Sequence, residues 1–314
     1  MSQTIKVRVA ALRELTPVIR EFSLEPLQGE LPGFSAGSHV VVQMPAGERT
    51  LRNAYSLPCD PADNHCYRIA VRLQPESRGG SRFMHEQVKV GDELRISTPH
   101  NLFPISSQAR HHLLVAGGIG ITPFIGYIAE LRARGETFEL HYAFRGGLTD
   151  AYLAELRERL GERLKSYDSL AGERLDLAVL LQGQPIGTHL YACGPENLLV
   201  ALREQACALG WPDSRVHWEA FAAPEPGLPF VVELANSGQR IEVPADLSLL
   251  EALEAAGIEI PNLCRGGVCG QCETRYLAGE VEHRDHFLGQ DERSSLLMPC
   301  VSRGGCDRPL LLDL

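Results

Sequence analysis

The 314-residue chain has no run of about 18 apolar residues, so no segment reads as a membrane-spanning helix. It has no surplus of basic charge either: 30 Lys and Arg stand against 40 Asp and Glu, a net charge of −10. That balance argues against nucleic acid as a partner. The opening stretch MSQTIKVRVA runs straight into alternating strand and lacks the apolar core of a signal peptide. Nine cysteines without an export signal predict reduced thiols and ligands in a cytoplasmic setting, not a disulfide framework. No internal repeat or low-complexity tract stands out.

What is present is ordinary in amount and uneven in place. An apolar fraction of 44 % and a charged fraction of 22 % suit a globular chain long enough for two or three domains. From Met1 to Ala223 the acidic and basic residues number 25 and 23, a balance of −2. From Pro224 to Leu314 they number 15 and 7, a balance of −8. An acidic face of this kind either steers a basic partner or is a solvated surface.

The pattern falls into blocks. Residues 1–105 alternate apolar and polar positions in short runs (IKVRVA, HVVVQM, YRIAVRL, ELRIST) separated by Gly and Pro, which predicts an antiparallel barrel or sandwich. Residues 106–223 change character. A buried strand, a glycine turn and an amphipathic helix in HHLLVAGGIGITPFIGYIAELRARG are followed by strands FELHYAF and THLYACG, each with a helical stretch after it. This is α/β alternation around a parallel sheet. Residues 224–229 carry the Pro and Gly of a linker. Residues 230–314 open with a hairpin around Asn236-Ser237-Gly238 and a helix SLLEALEAAG.

Within the last block the string CRGGVCGQC sets Cys264-x4-Cys269-x2-Cys272, and Cys300 follows after 27 residues. Four thiolates at this spacing match the plant-type pattern that holds a [2Fe–2S] cluster. Structural zinc usually takes two C-x2-C pairs or mixes Cys with His, and here only one C-x2-C exists. Gly266, Gly267 and Gly270 supply the positive φ angles that a loop wrapped around such a cluster needs. The remaining cysteines, Cys59, Cys66, Cys193, Cys207 and Cys306, read as small buried hydrophobes.

Two glycine turns, AGGIGITP (Ala116 to Pro123) and YACGPENLL (Tyr191 to Leu199), each end a strand of the second block. Together they predict a nucleotide crevice at the carboxyl edge of one sheet. Arg145 follows FELHYAF, where a basic residue either meets a 2′-phosphate or stands as a solvated loop charge. In the first block, Tyr55 beside Ser56 suits an aromatic platform next to a flavin, or plain core. Gly79, Gly80 and Ser81 precede a helical stretch and either present amides and a hydroxyl to a phosphate or form an ordinary N-cap with Ser81 capping.

These strings in this order (RNAYSL and RGGS, GGIGITP and CGP, then C-x4-C-x2-C…C) resemble the phthalate dioxygenase reductase family along essentially the whole chain. The resemblance implies an antiparallel β-barrel flavin domain, an α/β nucleotide domain and an α+β β-grasp ferredoxin domain. It also implies FMN, a [2Fe–2S] cluster and NADH as electron donor, preferred over NADPH. By position, Tyr55 and Ser56 would contact the flavin ring, and Asn53, Gly79, Gly80 and Ser81 would line its site. Gly118 and Thr122 would line the dinucleotide site, Cys193 and Gly194 would lie near the nicotinamide, and Phe221 would cover the flavin. Cys264, Cys269, Cys272 and Cys300 would be the metal ligands. Asn53 stands where the family has Arg, and Arg52 one place earlier falls on the other face of a strand, leaving the phosphate charge to Arg78 or Arg82. The strings NAYSL, AVRL…SRGGSRF and STPHNLF look most like reductases of the carnitine and vanillate monooxygenase type.

The function implied is the reductase component of a Rieske-type oxygenase system. NADH gives two electrons at once and an iron–sulfur cluster takes one at a time, so a flavin between them reconciles the two. One rival is a redox-sensing iron–sulfur binding module, which would need no hydride donor; NADH-driven cytochrome c reduction separates the two. The other is a free-standing flavin or quinone reductase, for which residues 224–314 would be dispensable.

Overall fold

The computed structural model describes residues 4–47, 49–75, 77–221, 226–306 and 308–314, with Arg49 by its backbone alone. Two of the linker positions, 224 and 225, lie outside the described residues. The chain divides into two compact units, Met1–Phe221 and Ala222–Leu314.

The first unit begins with strands β1 (Thr4–Thr16), β2 (Ile19–Pro26), β3 (Ser38–Ala46), β4 (Arg49–Ser56) and β5 (Tyr67–Arg72). Helix α1 (Gly80–Glu86) and strands β6 (Glu93–Ser97) and β7 (His100–Asn101) follow. The strands make an antiparallel sheet in the order β4-β3-β6-β1-β2-β5, with β7 on β3. Alternation puts Phe22, Leu24, Val40, Val42, Met44, Tyr67, Ile69 and Val71 into one apolar cluster. Helix α1 packs against β3, β4 and β5 and closes the curled sheet where its end strands approach.

The chain then alternates. Strand β8 (His111–Gly117) leads to α2 (Thr122–Arg134), β9 (Phe138–Phe144) to α3 (Leu153–Leu160), and β10 (Leu164–Asp168) to α4 (Leu177–Gln182). Strand β11 (Thr188–Gly194), α5 (Glu196–Ala208) and β12 (Val216–Ala220) complete the unit. The sheet is parallel, in the order β10-β9-β8-β11-β12. Strand β8 is buried along nearly its whole length, as a central strand with both faces covered must be. Chain direction across the sheet reverses between β8 and β11, so the crevice at their carboxyl ends is the topological switch point.

The antiparallel and parallel sheets share a core. Ile19, Ala36, Ala70 and Phe103 from the first join Leu114, Ile121, Phe124, Tyr127 and Tyr191 from the second. One charge is sunk at this junction: Glu21, 5 % exposed, takes Arg13 at 3.0 Å, Arg68 at 4.0 Å and the Tyr152 hydroxyl at 2.7 Å. A buried carboxylate with hydrogen bonds from Arg13 and Tyr152 and a second guanidinium nearby is matched, as the cost of burying it demands.

The second unit contains β13 (Phe230–Leu234), β14 (Arg240–Val243), α6 (Leu249–Ala255), β15 (Thr274–Ala278), β16 (Val281–Glu282), β17 (Leu296–Leu297), β18 (Arg303–Gly304) and β19 (Leu310–Leu312). Its mixed sheet runs β14-β13-β19-β15-β17, with β13 and β19 parallel, and β16 pairs β18 separately. The hairpin β13–β14 forms around Gly238 at φ +67°. Ser248 caps α6 in a capping box with Glu251, which fixes where the helix begins. Three of the cysteines expected as buried hydrophobes are not buried: Cys207 and Cys306 are exposed, and Cys66 is intermediate. Cys207 sits in the last turn of α5, one residue past the Ala206 that packs into the core.

Candidate functional site

The cysteine loop follows α6, and its backbone is bent by Arg265 (φ +53°), Gly267 (φ +75°) and Gly270 (φ +75°). Gly266 was expected to supply such an angle; Arg265 adopts it instead, at a cost that only glycine avoids. The Arg265 side chain offsets that cost. It is 7 % exposed, pairs two-pronged with Glu254 of α6 at 2.8 and 2.9 Å, and donates to Asn262 Oδ1 at 3.0 Å. Burial opposes its charge, but the hydrogen bonds and field of Glu254 prevail and raise its pKa. On the far side Phe287, 47 % exposed, lies over Gly270, where a Cβ would come within 2.6 Å of its ring. Asp285 holds that segment by accepting the amides of Phe287 and Leu288 at 3.2 and 2.8 Å, and the His286 amide donates to Gly267 O at 3.0 Å.

The thiols lie in two pairs. Cys272 Sγ is 3.3 Å from Cys300 Sγ and 3.7 Å from Met298 Sδ. Cys264 is hydrogen-bonded to Cys269 and also receives the Gly266 amide at 3.4 Å. Within each pair the shared hydrogen bond splits the two pKa values, lowering Cys264 and Cys272 and raising Cys269 and Cys300. Among the described residues no three His, Cys, Asp or Glu converge on a single ion position. One tetrahedral zinc would need four donors on one centre; two thiol pairs suit two irons, each held by one pair. The donor set therefore fits a [2Fe–2S] cluster, which Cys264, Cys269, Cys272 and Cys300 would hold as two thiol pairs.

At the switch point the two glycine turns touch backbone to backbone. A Cβ on Gly194 would lie 2.9 Å from Gly117 Cα, and one on Gly117 would lie 2.6 Å from Pro195 Cδ. A Cβ on Gly120 would collide with the carbonyl of Cys193. These three glycines are required for close packing of the turns. Gly118 differs: its φ is +54°, and a Cβ there would meet only Thr149, at 3.5 Å. The Thr122 side chain is buried, and its hydroxyl donates to Ile119 O at 3.0 Å, tightening the turn that starts α2. The Cys193 thiol is fully buried in the shared core, and burial raises its pKa well above the usual thiol range. Phe221, 42 % exposed, follows β12 directly; Gly194 pairs with Ala220, so Phe221 stands just beyond the same carboxyl edge.

On β4, Asn53 and Tyr55 share a face, and Asn53 Nδ2 donates to the Tyr55 hydroxyl at 3.2 Å. Burial pushes the Tyr55 pKa up to about 12 despite that hydrogen bond. Gly80 lies against Asn53, where a Cβ would come within 3.0 Å of its Cγ, and Gly79 (φ +112°) lies against Leu51. Asn53, Tyr55, Gly79 and Gly80 are thus brought together at the start of α1. Arg52 pairs with Gln43 and points to the opposite face by alternation. The Ser81 hydroxyl does not cap the helix. It accepts from the Gln74 amide at 3.2 Å and donates to Ser77 Oγ at 2.9 Å, and Gly79 is the N-cap. Ser56, 4 % exposed, has a buried Oγ with no hydrogen-bond partner among the described residues. A buried hydroxyl left open beside a tyrosine fits a polar ring edge such as that of a flavin.

Sequence reasoning missed Glu254, Asp285 and Met298, which brace or touch the cysteine loop, because each acts through a contact that only the folded chain makes. A non-glycine residue between Cys264 and the glycines was the one visible signal, for Arg265.

Residues 232–303 match the 2Fe-2S iron-sulfur cluster binding domain, and residues 97–216 match the N-terminal domain of dimethylamine monooxygenase subunit DmmA-like proteins. Over 315 residues, all of both chains, the sequence is 66 % identical to the heme-dependent oxidative N-demethylase beta subunit of Ectopseudomonas mendocina (strain ymp). It is 45 % identical to the carnitine monooxygenase reductase subunit of Escherichia coli (strain K12), covering 99 % of each. The fold superposes with a TM-score of 0.88 and 34 % identity on phthalate dioxygenase reductase, covering 99 % of this chain and 98 % of that one. That structure is described as modular, for electron transfer from pyridine nucleotides to [2Fe-2S].

Proposed function

Because the chain belongs to the phthalate dioxygenase reductase family, we propose that it is the reductase component of an oxygenase system, taking electrons from NADH through FMN and a [2Fe–2S] cluster to a partner oxygenase. The observation that carries this reading is the pairing of the four thiols, because two sulfur pairs on one loop and one following turn serve single-electron transfer. When bound, FMN accepts a hydride's two electrons together and gives them up one at a time, and the cluster carries them singly. The protein's own groups bind and orient. Asn53, Tyr55, Ser56 and the Gly79–Gly80 amides hold the flavin; Gly118, Gly194 and the surrounding turns admit the dinucleotide; Phe221 covers the edge that the nicotinamide must reach. Cys264, Cys269, Cys272 and Cys300 hold the cluster. The protein works in the cytoplasm, where the thiols stay reduced.

Two classes of acceptor follow. A Rieske-type oxygenase is the acceptor that the cluster's chemistry suits, since a plant-type cluster near about −400 mV lies below the Rieske range. The 66 % identity to a subunit of a heme-dependent N-demethylase favours a second reading, in which the acceptor is a haem oxygenase acting on a small amine. The test adds the purified reductase and NADH to each class of oxygenase and measures substrate-dependent NADH consumption. Coupled turnover with one class selects it. A preparation that reduces its flavin with NADH but passes no electrons to either oxygenase overturns the oxygenase role and leaves a free-standing flavin reductase.

A further inference from the structure

The turn that carries Phe287 is fastened by three side chains that have no place among the cluster ligands. Asp285 opens that turn, and its carboxylate is fully buried. One oxygen, Oδ2, accepts the Phe287 and Leu288 amides and lies 3.7 Å from Arg293 Nη2. Arg293, in the short helical turn Glu292–Ser294, also donates to the Asp285 carbonyl at 2.9 Å. The other carboxylate oxygen, Oδ1, is buried and has no hydrogen-bond partner among the described residues. It lies 3.7 Å from His283 Nδ1, which is too long for a direct hydrogen bond.

The second nitrogen of His283 fixes what this separation means. His283 Nε2 is 3.1 Å from the Arg293 carbonyl oxygen, which also accepts the Tyr276 hydroxyl at 2.8 Å. A carbonyl only accepts, so Nε2 carries the hydrogen. In the neutral ring Nδ1 is then an acceptor, set beside a carboxylate oxygen that is an acceptor too. Two buried acceptors side by side are costly unless one donor serves both. His283 Nδ1 has no hydrogen-bond partner among the described residues, and neither has Arg293 Nε, a buried donor. Two open acceptors and one open donor, on three side chains already in contact, are the complement of a single water molecule.

We propose that His283, Asp285 and Arg293 bind one internal water, and that this polar knot positions the Phe287 turn against the cysteine loop. The water donates one hydrogen to His283 Nδ1 and one to Asp285 Oδ1, and accepts from Arg293 Nε. The path from the knot to the loop is short. The His286 amide donates to Gly267 O at 3.0 Å, and a Cβ on Gly267 would lie 3.2 Å from Asp285 Cα. An Asp285 that shifts when its water is lost therefore moves the backbone at Gly267, between the cysteines that must meet in pairs. The three residues are positioning residues, acting on the thiols through the turn. The inference rests on the reading that those thiols hold a cluster.

The test uses the full-length holoprotein and the variants His283→Phe and His283→Gln. A high-resolution crystal structure is expected to show a water within hydrogen-bonding distance of His283 Nδ1 and Asp285 Oδ1. Cluster retention is read as the decay of cluster absorbance in the presence of an iron chelator. His283→Phe keeps a ring but offers the water no acceptor, and should lose the cluster about tenfold faster. His283→Gln keeps an acceptor and a donor, and should restore both the water and the slow decay. Flavin bleaching by NADH should stay unchanged in both variants, because the knot lies wholly in the second unit. A structure in which Nδ1 bonds Oδ1 directly, with no water between, would overturn the water site in favour of a protonated His283 paired with Asp285. Equal decay in wild type and His283→Phe would overturn the positioning role. Equally fast decay in the two variants would overturn it too, and leave His283 as ring packing. A protein that shows the water but takes up no iron would retain the water site and reject the cluster reading instead.

Discussion

The cysteine loop and the dinucleotide crevice solve opposite problems. In the loop, the side chains carry the chemistry and the backbone bends to serve them, with Arg265 and Gly270 in positive φ so that four thiols meet in pairs. In the crevice, side chains are removed so that backbone can approach backbone: Gly117, Gly120 and Gly194 leave no room for a methyl group. The loop is therefore most sensitive to the loss of an atom and the crevice to the gain of one.

The largest expected effect breaks the loop. Cys269→Ala removes one sulfur of the Cys264 pair and should abolish both the cluster's absorbance and NADH-driven reduction of cytochrome c. Flavin bleaching by NADH should persist, because the flavin and nucleotide residues belong to the other compact unit. Iron analysis and stopped-flow bleaching on the same preparation check both halves. A variant that loses flavin reduction as well would mean that the two units do not act separately.

Adding an atom to the crevice is the next test. Gly120→Ala sets a methyl group against the Cys193 carbonyl, where no side chain can rotate aside, and should cost on the order of 3 kcal/mol. Gly118→Ala sharpens the comparison. Its methyl group has room beside Thr149, so the penalty is only that of a positive φ, about 1 kcal/mol. Denaturant unfolding followed by flavin fluorescence measures both. Equal costs would mean that backbone conformation, not close approach, fixes these glycines.

This contrast also explains how far the sequence could be read. The cysteine spacing is local, so the four-thiol set was visible as a string, as was the hairpin at Gly238. The strand–turn–helix pattern at Gly117 was visible too, because burial of β8 on both faces leaves a continuous apolar run. What was hidden depends on topology. That Gly120 abuts Cys193, 73 positions away, follows from β11 pairing with β8. The same holds for Glu21, which becomes a junction carboxylate only once α3 and β1 bring Tyr152 and Arg13 to it. Ser81 read as a cap or a phosphate ligand; it does not cap α1, and its hydroxyl bonds Gln74 and Ser77, contacts that depend on how the turn folds.

The smallest expected effect concerns acid, and it bears on the first unit alone. His112, His189 and His217 come from three neighbouring strands and surround Tyr191. His217 stacks on that ring at 4.7 Å, and its Nε2 lies 2.9 Å from His189 Nδ1. Burial lowers all three pKa values: His217 falls to about 4, helped by its histidine neighbours, His189 is lowered further by Arg215, and His112 is lowered although Glu136 at 2.7 Å opposes the shift. The folded unit therefore binds fewer protons than the unfolded chain below the ordinary histidine value of about 6.5. Stability from the neutral rings is fully present above that value and is lost as the pH falls from it toward 4. Thermal release of the flavin should occur several degrees lower at pH 5 than at pH 7. His217→Phe keeps a ring against Tyr191 but cannot titrate, so it should flatten this dependence. If wild type and variant lose stability in parallel between those pH values, the acid sensitivity lies in carboxylates elsewhere and the histidine face is only packing.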